Sequence, residues 1–159
     1  VTHAPDIHVT IMDLPGQLNV AKRKIEDLGL QERVSFISAN ILDESVKIPQ
    51  GFDAIWMSQF LDCFSEAQII SILERCHEAL DENGQIVIME PFWDRQRFEI
   101  AAFCLQQTSL YFTSTANGNS QMYSAETFLN CVEKAGFVVS EQIDNIGLSQ
   151  TILKCNKRK

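Results

Sequence analysis

In four places the chain sets polar or acidic side chains just beyond a short apolar run rich in β-branched residues. Asp13 follows Val9–Met12, Asn40 comes shortly after Val34–Ile37, Ser58 to Phe64 follow Phe52–Met57, and Glu90 to Trp93 follow Ile86–Met89. If these runs are parallel strands, the residues gather where open α/β sheets bind ligands, beyond the carboxyl ends of the strands. Asp13 stands two residues before a helix start. In that position a carboxylate can accept hydrogen bonds from both ribose hydroxyls of a nucleotide cofactor, or it can simply favour the positive end of the helix dipole. Both readings remain open from Asp13 alone.

The elements that must position these residues are legible from periodicity and punctuation. Val9–Met12 closes at Asp13-Leu14-Pro15-Gly16, and proline is tolerated in a first helical turn, where no amide donor is needed. From Leu18, the residues Ala21, Ile25 and Leu28 recur at helical spacing, with Gly29 as the stop. Val34–Ile37 reads as a strand, and the polar stretch from Ser38 to Gly51 as a loop. The near-continuous apolar character of Phe52–Met57 predicts a strand buried on both faces. Ser65 and Gln68 form a capping-box pattern ahead of Ile69, Leu73, Cys76 and Leu80, and Asn83-Gly84 reads as a turn before the strand Ile86–Met89. A helix is expected from Asp94 to about Thr113, with Phe98, Ala101, Ala102, Leu105 and Ser109 on one face. A further helix is capped by Ser124 and stops at Gly136. Phe137–Ile143 and Gln150–Cys155 are the last strands, and the link between them is too short for a parallel crossover, so they must pair antiparallel. The order implies an α/β fold: a parallel sheet with helices on both faces and an antiparallel strand pair at its C-terminal end. With no repeat, linker or shift in composition, residues 1–159 read as a single domain.

Composition narrows the function classes. The 159 residues are 45% hydrophobic and 21% charged, close to the average for globular domains. Thirteen Lys and Arg against twenty-one Asp and Glu give a formal net charge of −8. An acidic surface of this kind repels phosphate backbones and anionic lipid, so neither nucleic acid nor a membrane surface is an expected partner. No apolar run approaches the length of a membrane span, and no leader segment is expected. The five cysteines include no CxxC pair, the pattern of reduced, mostly buried thiols, which points to the cytoplasm. His3, His8 and His77 are scattered, and no metal site is expected.

Several segments together resemble a family. Asp13-Leu14-Pro15, then Asp27-Leu28-Gly29-Leu30, Glu32 to Phe36, and Ile48-Pro49 to Phe52-Asp53-Ala54 are similar to consecutive segments of class I S-adenosylmethionine-dependent methyltransferases. The branch most resembled is that of the bacterial and plant small-molecule O-methyltransferases. Trp56 to Glu66 is similar, without gaps, to the family's stretch after its fourth strand, where Ser-His-Val-Leu-His-Asp-Trp is common. The likeness continues through Arg75 to Leu80, Asn83-Gly84, Ile86 to Glu90 and Glu133 to Phe137, and so covers nearly the whole chain.

The resemblance implies a Rossmann-like methyltransferase sheet and S-adenosyl-L-methionine as cofactor, with a small-molecule methyl acceptor as partner. Asp13 would bind the cofactor ribose with Leu14 packed beside it. Asn40 and Ile41 would flank the adenine, and Ser58 and Gln59 would lie near the methionine part. Where many family members have a histidine base, this chain has Asp62. A carboxylate can take a proton, especially if burial raises its pKa, yet an ordinary aspartate is a weak base for a phenol; a helix-approach Asp without catalytic duty is the alternative. The family's supporting glutamate falls at Met122, so N-, S- and C-acceptors stay open beside oxygen. Phe64, Phe92-Trp93, Phe103 and Tyr111-Phe112 are candidate walls of an apolar acceptor pocket, or core. Asn117 to Ser120 is a polar lid over that pocket, or a surface turn.

Two other functional classes compete. One is a nicotinamide-dependent oxidoreductase, which the antiparallel pair disfavours; the other is a non-catalytic module that keeps the methyltransferase fold for binding. The family's first strand and Gly-rich phosphate turn have no counterpart in the twelve residues before Asp13. The expectation is therefore the C-terminal part of a larger catalytic domain, with Val9–Met12 and Phe52–Met57 facing a vacant slot. Such a part would bind cofactor weakly or not at all by itself, and a homodimer would form through a missing N-terminal domain.

Overall fold

The computed structural model describes residues 4–116 and 118–158. The chain divides into two compact units, Val1–Val46 and Lys47–Lys159. In the first, β1 (Val9–Asp13) leads through α1 (Pro15–Asp27) to β2 (Val34–Ser38), and the two strands pair in parallel, Val9 opposite Val34 and Asp13 opposite Ser38. Pro15 opens the helix as expected. At its far end Gly29 adopts φ +66°, its N–H reaching Glu26 O at 2.9 Å and that of Leu30 reaching Ile25 O at 3.1 Å. This double closure satisfies carbonyls that the helix leaves over, and the left-handed residue it requires explains the glycine.

The second unit holds β3 (Phe52–Ser58), α2 (Glu66–Ala79), β4 (Leu80–Glu90), α3 (Glu99–Thr115), α4 (Ala125–Lys134), β5 (Phe137–Ile146) and β6 (Gln150–Lys157). Its sheet runs β3-β4-β6-β5, with β3 and β4 parallel and both contacts of β6 antiparallel. The expected C-terminal antiparallel pair is present. Among the described residues, β1 pairs only with β2 and β3 only with β4, and no strand precedes β1.

The core of this unit lies on one face of the sheet. Met57, Ile86, Ile88, Leu153 and Cys155 alternate inward along their strands, and the apolar stripes of α2 (Ile69, Ile72, Leu73, Cys76) and α4 (Phe128, Cys131, Val132) are buried with them. Burial at this density supplies the main driving force for folding, roughly 1.5–3 kcal/mol for each large side chain. Ser65 caps α2 as the sequence predicts, its side chain and that of Gln68 exchanging hydrogen bonds with each other's backbone.

Three expectations are corrected. β3 is not buried on both faces: Trp56 is 58% exposed and Ala54 is also exposed, because β3 is an edge strand whose outward side chains lie on the face opposite the core. Asn83-Gly84 does not end a helix turn before a separate strand. It lies within β4, where Phe52 pairs with Leu80 and Ala54 with Gln85, so Asp81–Gly84 bulge opposite Asp53. The helix expected from Asp94 begins at Glu99, since Asp94 spends its Oδ1 on the amide of Ala125 at 2.8 Å and caps α4 instead. Phe98 accordingly precedes α3 and is 61% exposed, while Ala101, Ala102, Leu105 and Ser109 are half-buried. No described helix is long and apolar enough to cross a membrane.

Candidate functional site

In the first unit the parallel register carries Asp13 and Asn40 to the same end of the strand pair. Ala39 N–H donates to Asp13 O at 3.0 Å, which continues the ladder one step past β2. Asp13 is exposed; its Oδ1 accepts the Leu14 amide at 2.7 Å, and its Oδ2 takes no hydrogen bond among the described residues. Asn40 turns its own backbone, Oδ1 accepting Leu42 N–H at 3.1 Å and leaving a second lone pair. Leu14 is half exposed beside Asp13 and Ile41 half-buried beside Asn40. One carboxylate oxygen and one amide nitrogen therefore remain available at the carboxyl end of β1 and β2, an acceptor and a donor suited to ribose hydroxyls and a purine edge.

In the second unit the carboxyl ends of β3 and β4 hold the other candidates. Ser58 lies opposite Met89, and Gln59 leaves the sheet with φ +46°, its N–H reaching Met89 O at 2.8 Å. A positive φ in a residue with a side chain is strained, and here it turns the chain at once into the short 3₁₀ segment Leu61–Cys63. Glu90, the last residue of β4, clamps that segment. Its Oε1 accepts the amides of Phe60 at 2.9 Å and Leu61 at 2.8 Å, while its Oε2 is buried without a partner. Glu90 is 1% exposed.

Asp62 is half-buried on this segment, with the Cys63 thiol donating to its Oδ1 at 3.6 Å. The segment after α3 closes over the same backbone. Gln121 N–H donates to Asp62 O at 2.9 Å, Ser120 Oγ to Cys63 O at 3.4 Å and Tyr123 Oη to Phe64 O at 2.6 Å. Ser120 is buried, and Met122 is tied back to Ser109 Oγ by its amide at 3.0 Å. Asn117 lies outside the described residues. Phe64 is buried edge-on against Phe60, and Phe92 is buried with its ring tilted against Phe128, whereas Trp93 is half-buried and Phe103, Tyr111 and Phe112 are exposed on α3. A concavity of about 370 Å³ at Asp53 and Asp81–Gly84 sits at the other end of β3 and β4, away from these residues.

The electrostatics follow from burial. Desolvation, then the charge of Asp62, push Glu90 up to about 8 in spite of the amides that favour its anion. Asp62 is raised by burial, with the Cys63 thiol and its own backbone pulling the other way. Cys63 is driven up to about 11 by burial and by Asp62, so it is a thiol donor and not a nucleophile at neutral pH. Among the described residues, neither Asp62 nor Glu90 belongs to an ion pair; ion pairs join Lys154 to Glu141 and Arg158 to Glu133. Asp62 is thus a half-buried carboxylate at the end of β3, on a backbone segment that a buried carboxyl holds.

Sequence reasoning picked out Asp62 but not the clamp. The signal for Glu90 was a carboxylate closing the apolar run Ile86–Met89, where a charge has no place unless backbone donors meet it. Tyr123 and Gln121 gave no local signal, since their partners are about sixty residues away in sequence.

Residues 1–138 match the O-methyltransferase domain family. Among curated relatives, the N,N-dimethyltransferase OxyT of Streptomyces rimosus is 29% identical over 89% of this chain and 40% of its own length. The L-tyrosine C(3)-methyltransferase of Streptomyces lavendulae is 23% identical over 84% of this chain and 35% of its own. The chain thus spans well under half the length of these relatives. Among solved structures, the O-methyltransferase NcsB1 from neocarzinostatin biosynthesis, in complex with S-adenosylmethionine and 2-hydroxy-5-methyl naphthoic acid, has a TM-score of 0.80 at 22% identity over 98% of this chain and 43% of its own. The mitomycin 7-O-methyltransferase MmcR has a TM-score of 0.82 at 18% identity, covering 96% of this chain and 42% of its own. The polar residues at the carboxyl ends of β1 to β4 stand on the fold these proteins share, and the match over residues 1–138 makes the chain a member of the O-methyltransferase domain family.

Proposed function

We propose that the chain serves an S-adenosylmethionine-dependent methyltransferase that acts on a small molecule, and that residues 1–159 contribute to a single catalytic unit. The observation that carries this reading is the placement of Asp13 and Asn40 at the same end of β1 and β2, the exposed carboxylate keeping its Oδ2 unengaged. Asp13 binds the ribose hydroxyls with Leu14 packed at its side, and Asn40 and Ile41 flank the adenine. Ser58 and Gln59 take the methionine part, at the turn where the chain leaves β3. When bound, the cofactor supplies a methyl group on a positively charged sulfur. Asp62 receives a proton from the acceptor, and Phe64 and Trp93 form an apolar backing on the acceptor side. The relatives support the small-molecule class: OxyT is an N,N-dimethyltransferase, and NcsB1 holds a naphthoic acid.

Transfer from a sulfonium depends more on alignment of nucleophile, methyl carbon and sulfur than on strong base catalysis. The clamp of Glu90 on Phe60 and Leu61 meets that demand by fixing the backbone that carries Asp62.

The test is an NMR titration of the isotope-labelled chain with S-adenosylhomocysteine, with NAD as the control. Even weak binding shifts the amides of Asp13, Leu14 and Asn40, and Asp13→Ala abolishes the shifts. Equal or larger shifts with NAD, or no change at these amides, would overturn the reading.

A further inference from the structure

We infer that the outward face of α3 is an interface between two copies of this chain, which meet antiparallel about a two-fold axis at Gln107. The inference stands apart from the methyltransferase reading and uses only residues of this helix. α3 holds no fully buried residue. Ala101, Ala102, Leu105, Thr108 and Ser109 are half-buried on its inner side. On the outer side Ile100, Phe103, Leu110 and Tyr111 are between 55% and 68% exposed. Ile100, Phe103, Gln107, Leu110 and Ser114 follow one another at alternating steps of three and four residues, the spacing by which one helix packs along another. A helix covered on one side ordinarily turns charged side chains to water, whereas α3 carries a single charge, Glu99, in its first turn. The hydroxyls of Thr108, Ser114 and Thr115 are satisfied within the helix, donating at 2.8 Å to the carbonyls of Cys104, Leu110 and Tyr111. Closing a dry contact over Ser114 therefore strands no donor.

Charge and shape select the occupant. The chain has a formal net charge of −8, so two copies repel over most of their surface. From Ile100 to Ala125 the sequence has no charged residue, the longest such stretch in the chain, and copies that meet along α3 do so at the least electrostatic cost. An antiparallel pairing centred on Gln107 sets Phe103 against the partner's Leu110 and Ile100 against the partner's Ser114. Each contact recurs across the axis, as an isologous interface requires. At the centre the two Gln107 carboxamides face each other, and each can donate to and accept from its mate. A polar group in such a seam fixes the register. A large side chain offers about 200 Å² when fully free, so the four apolar residues and the polar ones between them present roughly 600 Å² per copy. Two copies then bury about 1,200 Å², the lower bound of a specific, stable interface, which fits a dimer in the micromolar range. A membrane surface is a poorer occupant, because interfacial helices carry Lys or Arg beside their apolar face and α3 has neither.

Sedimentation equilibrium of the whole chain across the micromolar range should show monomer and dimer only. Phe103→Glu and Leu110→Lys, each alone, should weaken the dimer about ten-fold or more. Both positions are exposed, so the variants keep the far-ultraviolet circular dichroism of the parent. An equimolar mixture of the two should dimerise several-fold more tightly than either alone, because the antiparallel register sets the new carboxylate against the new ammonium. Leu148→Glu, at a fully exposed turn outside α3, should leave the dimer unchanged. A chain that stays monomeric throughout, a dimer indifferent to both α3 substitutions, or a mixture no tighter than its components would overturn the inference. So would a monomeric chain that binds phosphatidylcholine vesicles and loses that binding in Leu110→Lys, which would give the face to lipid.

Discussion

Glu90 Oε1 accepts the amide of Leu61 at 2.8 Å, so the last residue of β4 holds the first residue of the turn that carries Asp62. The bond crosses between two neighbouring strand ends and involves a carboxyl with almost no access to water. What that carboxyl does with its proton governs how the site responds to pH.

Replacement of Glu90 by Gln keeps an oxygen for Phe60 and Leu61 and removes the ionisation. The folded-state value of Glu90 is about 8 against an ordinary 4.5, so between these limits the native protein binds more protons than the unfolded chain. By linkage, this contribution to stability is fully present below about pH 4.5 and is lost as pH rises towards 8. Glu90→Gln should therefore gain on the wild type between pH 5 and pH 8 in urea denaturation, and parallel profiles would refute the assignment. Glu90→Ala leaves two amides without their acceptor and should cost about 1–3 kcal/mol at either pH.

Glycine is required at position 84 by crowding. A Cβ there would lie 2.9 Å from Phe52 O and 3.1 Å from Asp81 O, both backbone atoms that cannot swing aside. Gly84→Ala should destabilise the chain by about 1–3 kcal/mol. Gly16, in the first turn of α1, has nothing within 4 Å of its would-be Cβ, and Gly16→Ala should be neutral or stabilising by up to about 1 kcal/mol. Thermal melts of the two variants check the contrast, which equal effects would abolish.

The five thiols should react in three ranks. Cys104 is exposed on α3 and should be alkylated first. Cys63 is half-buried, but with a value of about 11 its thiolate is roughly one part in a thousand at pH 8. Cys76, Cys131 and Cys155 are in the core and should react only on unfolding. Because Asp62 helps hold Cys63 up, Asp62→Asn should speed alkylation of Cys63 several-fold while leaving Cys104 unchanged. Mass spectrometry of a timed iodoacetamide reaction reads each site, and an unchanged Cys63 rate would break the link.

Features set by neighbours in sequence were legible before any coordinates. Pro15, the Gly29 closure, and the Ser65–Gln68 cap act within one helical turn, and all three are found where the spacing places them. The parallel pairing followed from the alternation of strands and helices, and the antiparallel pair from the short link between β5 and β6. Asn83-Gly84 and Asp94 were misleading for one reason: each has a local preference, for a turn and for a helix start, that a distant partner overrides. Phe52 sets the first, and the amide of Ala125 claims the second. Trp56 was misread because an apolar run does not reveal how many faces of its strand are covered, only that one must be. At the candidate site, Asp62 could be named from the sequence, whereas the clamp by Glu90 and the cover by Gln121 and Tyr123 arise from contacts between segments far apart in the chain.

The bonds from Gln121 to Asp62 and from Tyr123 to Phe64 have a consequence for how such a chain can change over time. Connecting segments ordinarily absorb insertions and deletions with little penalty. Here the residues after α3 are fastened to the backbone that bears Asp62, so a length change near position 121 would displace that carboxylate. Under the proposed methyltransferase reading, a change of acceptor preference can therefore begin through the length of one connecting segment.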